Sequence, residues 1–344
     1  MIDVRFKYHR QQVEEPVVSI IIPAFNEQEV ILEFHRRLLE VIDKLSEFVF
    51  ELLYVNDGSQ DQTLGLLREL IEDDHRINVL DLSRNFGKEA AMTAGIDHVR
   101  GDAVIILDAD LQDSPELIPK MLDSWRQGYD VVCMQRASRD GESFLKKFTA
   151  RMFYLLMGRV GEVRVPENVG DFRLMNRAVI EALRTLPERT RFMKGVFAWV
   201  GFKTCTLPYH RDARYAGETK WNYWKLWNFA LEGLTSFTVA PLKIASYVGI
   251  LTSLAALGFG AVILIKTLFI GDPVPGYPSL MVVILFLGGL QLMAIGIVGE
   301  YLGRIFIESK QRPVYLKKEY YQGRSQAELS KPLNADETKK VANQ

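Results

Sequence analysis

The stretch Ala103-Val104-Ile105-Ile106-Leu107-Asp108-Ala109-Asp110-Leu111-Gln112-Asp113 decides how the rest of this chain is read. An apolar run this short, and rich in β-branched residues, predicts a strand over Ala103–Leu107 that is covered on both faces. Two carboxylates follow at once, at i and i+2. In extended chain that spacing points both side chains the same way.

The pattern recurs on either side. Apolar runs at Val17–Ile22, Phe50–Asn56, Ile77–Leu82 and Tyr129–Met134 predict four more strands. Between them, Val30–Leu45 sets Ile31, Phe34, Leu38, Leu39, Ile42 and Leu45 on one helical face, and Thr63–Asp74, Lys88–Val99 and Pro115–Gln127 read similarly. The last opens with Ser114-Pro115-Glu116, an N-cap followed by proline at the first helical position. Alternating strands and helices predict an α/β domain with a Rossmann-like, mostly parallel sheet and helices on both sides.

Ligands bind beyond the carboxyl ends of the strands in such a sheet. Those ends carry Pro23-Ala24-Phe25-Asn26-Glu27, Asn56-Asp57-Gly58-Ser59, Ser83-Arg84-Asn85-Phe86-Gly87-Lys88, Asp108–Asp113 and Gln135-Arg136. Each alone reads as a polar turn; together on one edge they form a site. No GxxxxGK[ST] loop and no GxGxxG follows the first strand, which argues against a P-loop NTPase or a dinucleotide enzyme. Asp108 and Asp110, hard oxygen ligands with no histidine nearby, suit Mg²⁺ or Mn²⁺ shared with a diphosphate, and Gln112 is a candidate neutral ligand. Glu27 and Asp57 are candidate acceptors for a base or ribose, and Lys88 a candidate counter-charge.

At 344 residues the chain is long enough for two domains. A net charge of −1 argues against a nucleic-acid binder held by bulk positive charge. Cys133 and Cys205 form no CxxC pair, and the histidines stand singly, so neither a disulfide framework nor a zinc site is expected.

The hydrophobicity is concentrated near the C-terminus. No charge lies between Lys243 and Lys266, with Val248–Ile265 almost wholly apolar or small, nor between Asp272 and Glu300, with Leu280–Val298 as the apolar core. Each stretch meets the ~20 residues a membrane-spanning helix needs. The turn Gly271–Ser279 holds no Lys or Arg, whereas Lys220, Lys225 and Lys243 precede the first span and Arg304, Lys310, Arg312, Lys317 and Lys318 follow the second. The positive-inside rule therefore expects both termini in the cytoplasm. Residues 1–16 contain no apolar signal-peptide core. Trp221, Trp224 and Trp227, interleaved with lysines, suit a helix at the headgroups. The expected organisation is an N-terminal extension 1–16, a catalytic domain 17–215, an interface region 216–242, spans 243–270 and 280–304 joined by the external turn 271–279, and a tail 305–344 that is disordered beyond Gly323.

Pro23–Glu27, the Asn56–Ser59 turn and the Asp108/Asp110 pair resemble a family 2 glycosyltransferase of the GT-A fold. Glu167-Asn168-Val169-Gly170-Asp171-Phe172-Arg173-Leu174-Met175, Phe192-Met193-Lys194-Gly195 and the paired spans are similar to its polyprenyl-phosphate branch, the bactoprenol glucosyltransferases and, more distantly, dolichol-phosphate mannose synthase. The resemblance covers roughly 17–316. It implies a UDP-sugar donor, with UDP-glucose first among the candidates, bound by Pro23, Phe25, Glu27, Asp57, Lys88, Asp108 and Ala109. It implies Mg²⁺ or Mn²⁺ on Asp110 with Asp108 and Gln112, and a polyprenyl phosphate acceptor held by Arg136, Lys146, Lys147 and Arg151. Asp171, Asp110 and Arg136 form the implied catalytic set; Asp171 orients the acceptor or binds the sugar, or else pairs with Arg173 structurally. At position 150, where some relatives carry serine, this chain has Ala150. Arg211, Arg214 and Lys220 are weaker candidates for diphosphate or headgroup contacts. The resemblance also implies a homotetramer in the inner (plasma) membrane. The alternatives are the same chemistry with another donor, GDP-mannose or another UDP-sugar, and, outside enzymes, a non-catalytic sugar-nucleotide scaffold; a processive synthase is disfavoured because no QxxRW motif is present.

Overall fold

A computed structural model describes residues 15–137, 169–189, 191–209, 240–270 and 276–323. They divide into two compact units: 15–137, 169–209 and 313–323 in the first, and 240–270 with 276–312 in the second.

In the first unit the apolar runs become strands. Their order along the chain is β1 (Val17–Ala24), α1 (Ile31–Ile42), β2 (Val49–Asn56), α2 (Thr63–Asp73), β3 (Ile77–Leu82), α3 (Lys88–His98) and β4 (Ala103–Ile106). A single 3₁₀ turn, Pro115–Leu117, leads into α4 (Ile118–Arg126) and β5 (Val131–Arg136). After the undescribed residues come β6 (Val169–Asn176), α5 (Arg177–Arg184), α6 (Met193–Trp199) and β7 (Thr204–Tyr209). With β8 (Lys317–Gln322) the eight-stranded sheet runs β7-β5-β6-β4-β1-β2-β3-β8. It is parallel at β4-β1-β2-β3 and at β5-β7, and antiparallel where β6 lies between β4 and β5.

Helices cover both faces, so Ile20, Ile21, Ile22, Leu52, Leu53, Val104 and Ile105 are fully buried. The continuous apolar runs therefore have no solvent face on which to alternate. α1 turns Ile31, Phe34, Leu38 and Ile42 inward. α3 is buried nearly all round, through Ala90, Ala91, Ala94 and Gly95. At Gly95 a Cβ would overlap Ile21, so glycine lets α3 lie close on β1.

Two local expectations change. Ser114 makes no cap bond to the backbone; its hydroxyl donates to the Glu116 carboxylate, while Pro115 does open the helical turn. The tail expected at 305–344 contains a strand, β8 (Lys317–Gln322), paired antiparallel to β3. It closes the edge that β3 would otherwise leave open. The strap is fixed by Ser83 N–H to Leu316 O at 2.9 Å, Gly323 N–H to Ile77 O at 3.0 Å and the Tyr315 hydroxyl to Asp97 at 3.0 Å.

The second unit holds two long helices, α7 (Ala240–Ile270) and α8 (Tyr277–Ser309). Their most apolar stretches are Ile244–Val262 and Phe286–Ser309, both long enough to cross a bilayer. Leu251, Leu257, Phe259 and Leu292 are each more than 60% exposed, an arrangement stable in lipid and not in water. The interface region 216–242 falls almost wholly outside the described residues.

Candidate active site

Parallel register brings the carboxyl ends of β1, β2 and β4 to one edge, with Ala24 opposite Asn56 and Ile21 opposite Ile106. Beyond β1 and β2 the chain is stitched loop to loop. Asn26, held at φ 54°, accepts the Gln60 N–H through Oδ1 at 2.9 Å and donates its own N–H to Ser59 Oγ at 3.1 Å. The Glu27 N–H donates to Thr63 Oγ1 at 2.9 Å. Pro23, Phe25 and Glu27 are half-buried along this wall.

Asp57 is 3% exposed. Its oxygens accept the Phe86 N–H at 2.7 Å and the Gly87 N–H at 2.9 Å, so it clamps the loop that leads into α3. Burial pushes its carboxyl above the usual range, against these two bonds and the charge of Arg84. Gly58, at φ 65°, lies where a Cβ would overlap the Arg84–Asn85 peptide. Asn56 Nδ2 donates to the buried Asp81 at 2.7 Å and completes the floor.

β4 ends at Ile106, earlier than the sequence suggests, and Asp108–Asp110 form a turn where extended chain was expected. The turn arises because Asp110 Oδ1 accepts the Gln112 N–H at 3.1 Å while Leu111 takes a positive φ of 58°. Asp108 and Asp110 thus reach the edge from a turn, with Ala109 buried between them. Asp113, almost fully buried, accepts the Tyr209 hydroxyl from the end of β7.

The antiparallel strand β6 supplies the next carboxylate. Ile106 pairs with Arg173, and continuing that register by two residues sets Asp171 opposite Asp108. The ammonium of Lys88, the first residue of α3, lies 2.6 Å from Asp108 Oδ2 and 2.6 Å from Asp171 Oδ2. Burial acts against the Asp171 carboxylate, but Lys88, Lys194 and Arg173 outweigh it and hold the group well below the usual range. Asp108 moves the other way: burial, with the negative charges of Asp171 and Asp113, raises it despite Lys88. Lys88, desolvated yet flanked by two carboxylates, stays protonated.

Arg173 does not pair with the Asp171 side chain. It is 3% exposed, donates to Gly170 O at 2.7 Å and lies 3.9 Å from the Phe197 ring centroid, a cation–π contact. Arg136 ends β5 beside Gly170, and its Nε is buried without a partner. Asp171 Oδ1 is likewise buried and unpartnered. Lys146, Lys147 and Arg151, with Ala150, lie outside the described residues, as do Arg211, Arg214 and Lys220.

The sequence left two neighbours of Asp171 without a role. Glu89 follows Lys88, and its carboxylate accepts the Met193 N–H at 3.2 Å. Burial and the Asp171 charge push Glu89 up to about 7. Lys194, in the first turn of α6, is half-buried, and desolvation lowers its affinity for a proton although Asp171 and Glu89 favour the charge. The available signal was adjacency: Glu89 to Lys88, and Lys194 inside Phe192–Gly195.

No group of three or more His, Cys, Asp or Glu is placed to hold a metal ion by itself among the described residues. Two carboxylates at an open sheet edge fit a hard divalent cation that completes its shell with diphosphate oxygens and water.

A glycosyl transferase family 2 model matches residues 19–184, and a model of the GtrB C-terminal hairpin matches 240–305. The chain is 52% identical to an uncharacterized glycosyltransferase, sll0501, of Synechocystis sp., over 87% of this chain and 94% of that protein. It is 47% identical to the bactoprenol glucosyl transferase of Shigella phage SfV, over 88% and 98%. It is 44% identical to the uncharacterized glycosyltransferase YkcC of Bacillus subtilis, over 88% and 94%. Near end-to-end likeness at such identity, over an α/β sheet with its carboxylates at one edge and two apolar helices behind it in sequence, means that the chain belongs to glycosyl transferase family 2 and is a membrane-associated glycosyltransferase.

Proposed function

We propose that this chain transfers glucose, with inversion, from UDP-glucose to a polyprenyl phosphate such as undecaprenyl phosphate at the cytoplasmic face of the plasma membrane. The carrying observation is the 47% identity to a protein named for that acceptor and sugar, across 98% of its length. The charge pattern of the site supports the reading, since carboxylates and lysines alternate where a diphosphate and an anionic acceptor would meet. Lys and Arg around the spans, absent from the turn between them, support cytoplasmic termini.

Pro23, Phe25, Glu27 and Asp57 would line the nucleoside end, with Asp108 and Ala109 beside the ribose. Asp110 and Asp108 would hold Mg²⁺ or Mn²⁺, with Gln112 beside them. When bound, the ion stabilises charge on the departing diphosphate. A phosphate oxygen of the lipid attacks the anomeric carbon, the bond from that carbon to the diphosphate oxygen breaks, and UDP leaves with the electron pair. The second pKa of a phosphate monoester is about 6, so the nucleophile is already deprotonated near neutrality. Asp171, ionised and unpartnered at Oδ1, is therefore suited to accept a sugar hydroxyl rather than to remove a proton. Lys88 orients Asp171 and neutralises charge beside the diphosphate.

The test uses purified full-length protein in detergent with Mg²⁺ or Mn²⁺, undecaprenyl phosphate and a panel of radiolabelled sugar nucleotides, with Asp110→Asn alongside. Label passing into lipid from UDP-glucose alone, and lost in the variant, is the expected result. Label from another donor discards glucose, and none from any donor discards the polyprenyl acceptor.

A further inference from the structure

Three basic groups act on Asp171, and among the described residues only Lys88 is paired with its carboxylate. Lys194 is half-buried, and its ammonium has no hydrogen bond or ion pair among the described residues. The charges acting on it come from Asp171 on β6, Lys88 and Glu89 on α3, and Arg136 on β5. Its place is fixed from one residue back: the Met193 N–H donates to Glu89, and Thr93 Oγ1 lies 3.9 Å from Met193 Sδ, so the start of α6 is pinned to α3. Across the site Arg136 shares a hydrogen bond with the Tyr209 hydroxyl and leaves Nε buried without an acceptor. Its Nη2 lies 3.8 Å from where a Cβ of residue 170 would stand, and glycine there leaves the space open.

A part-buried ammonium that forms no ion pair among the described residues, together with a buried guanidinium N–H that has no acceptor, is unfavourable until a ligand meets both. Both groups are donors, so the missing ligand is an acceptor, and their joint charge calls for an anion. Phosphate oxygens meet that description, with the guanidinium directional and the ammonium acting as a point charge. Two phosphates belong to the reaction, the donor's diphosphate and the acceptor's monoester. The sheet order separates them: β6 lies between β5 and β4, so Arg136 at the end of β5 and Asp108 beyond β4 stand on opposite sides of Asp171. An anion held jointly by Arg136 and Lys194 therefore lies on the side of Asp171 away from the proposed metal ligands. An inverting displacement needs nucleophile and leaving group on opposite sides of the anomeric carbon.

We propose that Lys194, together with Arg136, binds the phosphate monoester of the acceptor. This rests on the reading of the acceptor as a polyprenyl phosphate, and it adds to the site a residue that stands apart from the basic run 146–151.

Binding, measured without turnover, tests it. Farnesyl phosphate, farnesol and UDP with Mn²⁺ are titrated into the full-length wild type, Lys194→Met, Lys194→Gln and Lys194→Arg in detergent. The expected result is a roughly 10- to 100-fold weaker farnesyl phosphate affinity in Lys194→Met and Lys194→Gln, as for loss of one charge-assisted hydrogen bond. Lys194→Arg should recover most of it, farnesol should not distinguish the proteins, and UDP affinity should hold within about twofold. Unchanged farnesyl phosphate binding in whichever neutral variant folds overturns the assignment while leaving the proposed reaction standing. Loss of UDP binding instead moves Lys194 to the donor. A wild type that binds farnesol as well as farnesyl phosphate removes the acceptor reading and this inference together.

Discussion

Lys88 Nζ lies 2.6 Å from Asp171 Oδ2, so the first residue of α3 is tied to a strand that runs antiparallel to its neighbours. The same ammonium holds Asp108 at the end of β4. Removing it leaves two carboxylates facing each other without a cation between them. Lys88→Met should therefore lower kcat/KM by about 100-fold, the scale for losing one preorganised charged contact. The pH dependence gives the sign. Lys88 favours ionised Asp171, so without it the Asp171 pKa rises, and the acid limb of the kcat/KM profile should move to higher pH. A profile that falls in height with no shift of that limb would place Lys88 on the diphosphate alone.

Asp110 and Asp108 are the proposed metal ligands beyond β4, and Asp110 also shapes its own turn through the Gln112 N–H. Chelation and Asp110→Asn should then have separable effects. Exhaustive chelation should abolish transfer and readdition of Mn²⁺ or Mg²⁺ should restore it. Asp110→Asn keeps a turn-forming acceptor, so its melting temperature should stay within about 2 °C of wild type while transfer falls at least roughly 100-fold. Transfer that survives chelation in full would remove the metal from the proposed site.

Glu89 should contribute a pH dependence of stability that one substitution can isolate. Its folded-state pKa, raised to about 7 by burial and by Asp171, lies above its ordinary value near 4.5. Between those two pH values the unfolded chain releases a proton that the folded chain retains, so the group makes stability fall as pH rises through this window. Glu89→Gln removes the titration and keeps an oxygen for the Met193 N–H. Melting temperatures of the two proteins should diverge from about pH 5 upward, with the variant higher by a few degrees at pH 8. Parallel curves over that range would show that Glu89 has the same pKa in the folded and unfolded chain, and would remove this linkage.

The sheet, and the edge to which its loops converge, were legible because runs such as Ala103–Leu107 are buried on both faces, which leaves a continuous apolar signature. β8 was not legible. Lys317-Lys318-Glu319-Tyr320-Tyr321-Gln322 reads as a polar tail, and what makes it a strand is the open edge of β3, a tertiary fact. The meeting of Asp171 with Asp108 was hidden for a similar reason. It depends on β6 entering antiparallel with Ile106 against Arg173, and no local pattern specifies that register. The Lys88 bridge needs, in addition, the close approach of α3 to β1 that Gly95 allows. Residue types at the site could be read from the chain; partners separated by 80 or more positions, such as Lys88 and Asp171, could not.

Gly58 shows how far this edge depends on backbone geometry. Its φ of 65° suits glycine, and a Cβ would overlap the Arg84–Asn85 peptide. That peptide leads directly into Phe86 and Gly87, whose N–H groups the adjacent Asp57 holds. Gly58→Ala must therefore displace the loop at the point where it delivers Lys88 to Asp108 and Asp171. Positive φ alone costs a non-glycine residue about 1–3 kcal/mol. The overlap adds to this, and moving the loop relieves it only by breaking the Asp57 clamp. The variant should lose stability by at least that amount and bind UDP with Mn²⁺ at least tenfold more weakly. Ser59→Ala, one residue on, removes only the 3.1 Å bond from the Asn26 N–H and should cost about 1 kcal/mol with little change in UDP affinity. If the two substitutions weakened UDP binding equally, the site would depend on the whole Asn56–Ser59 turn rather than on the close approach at Gly58.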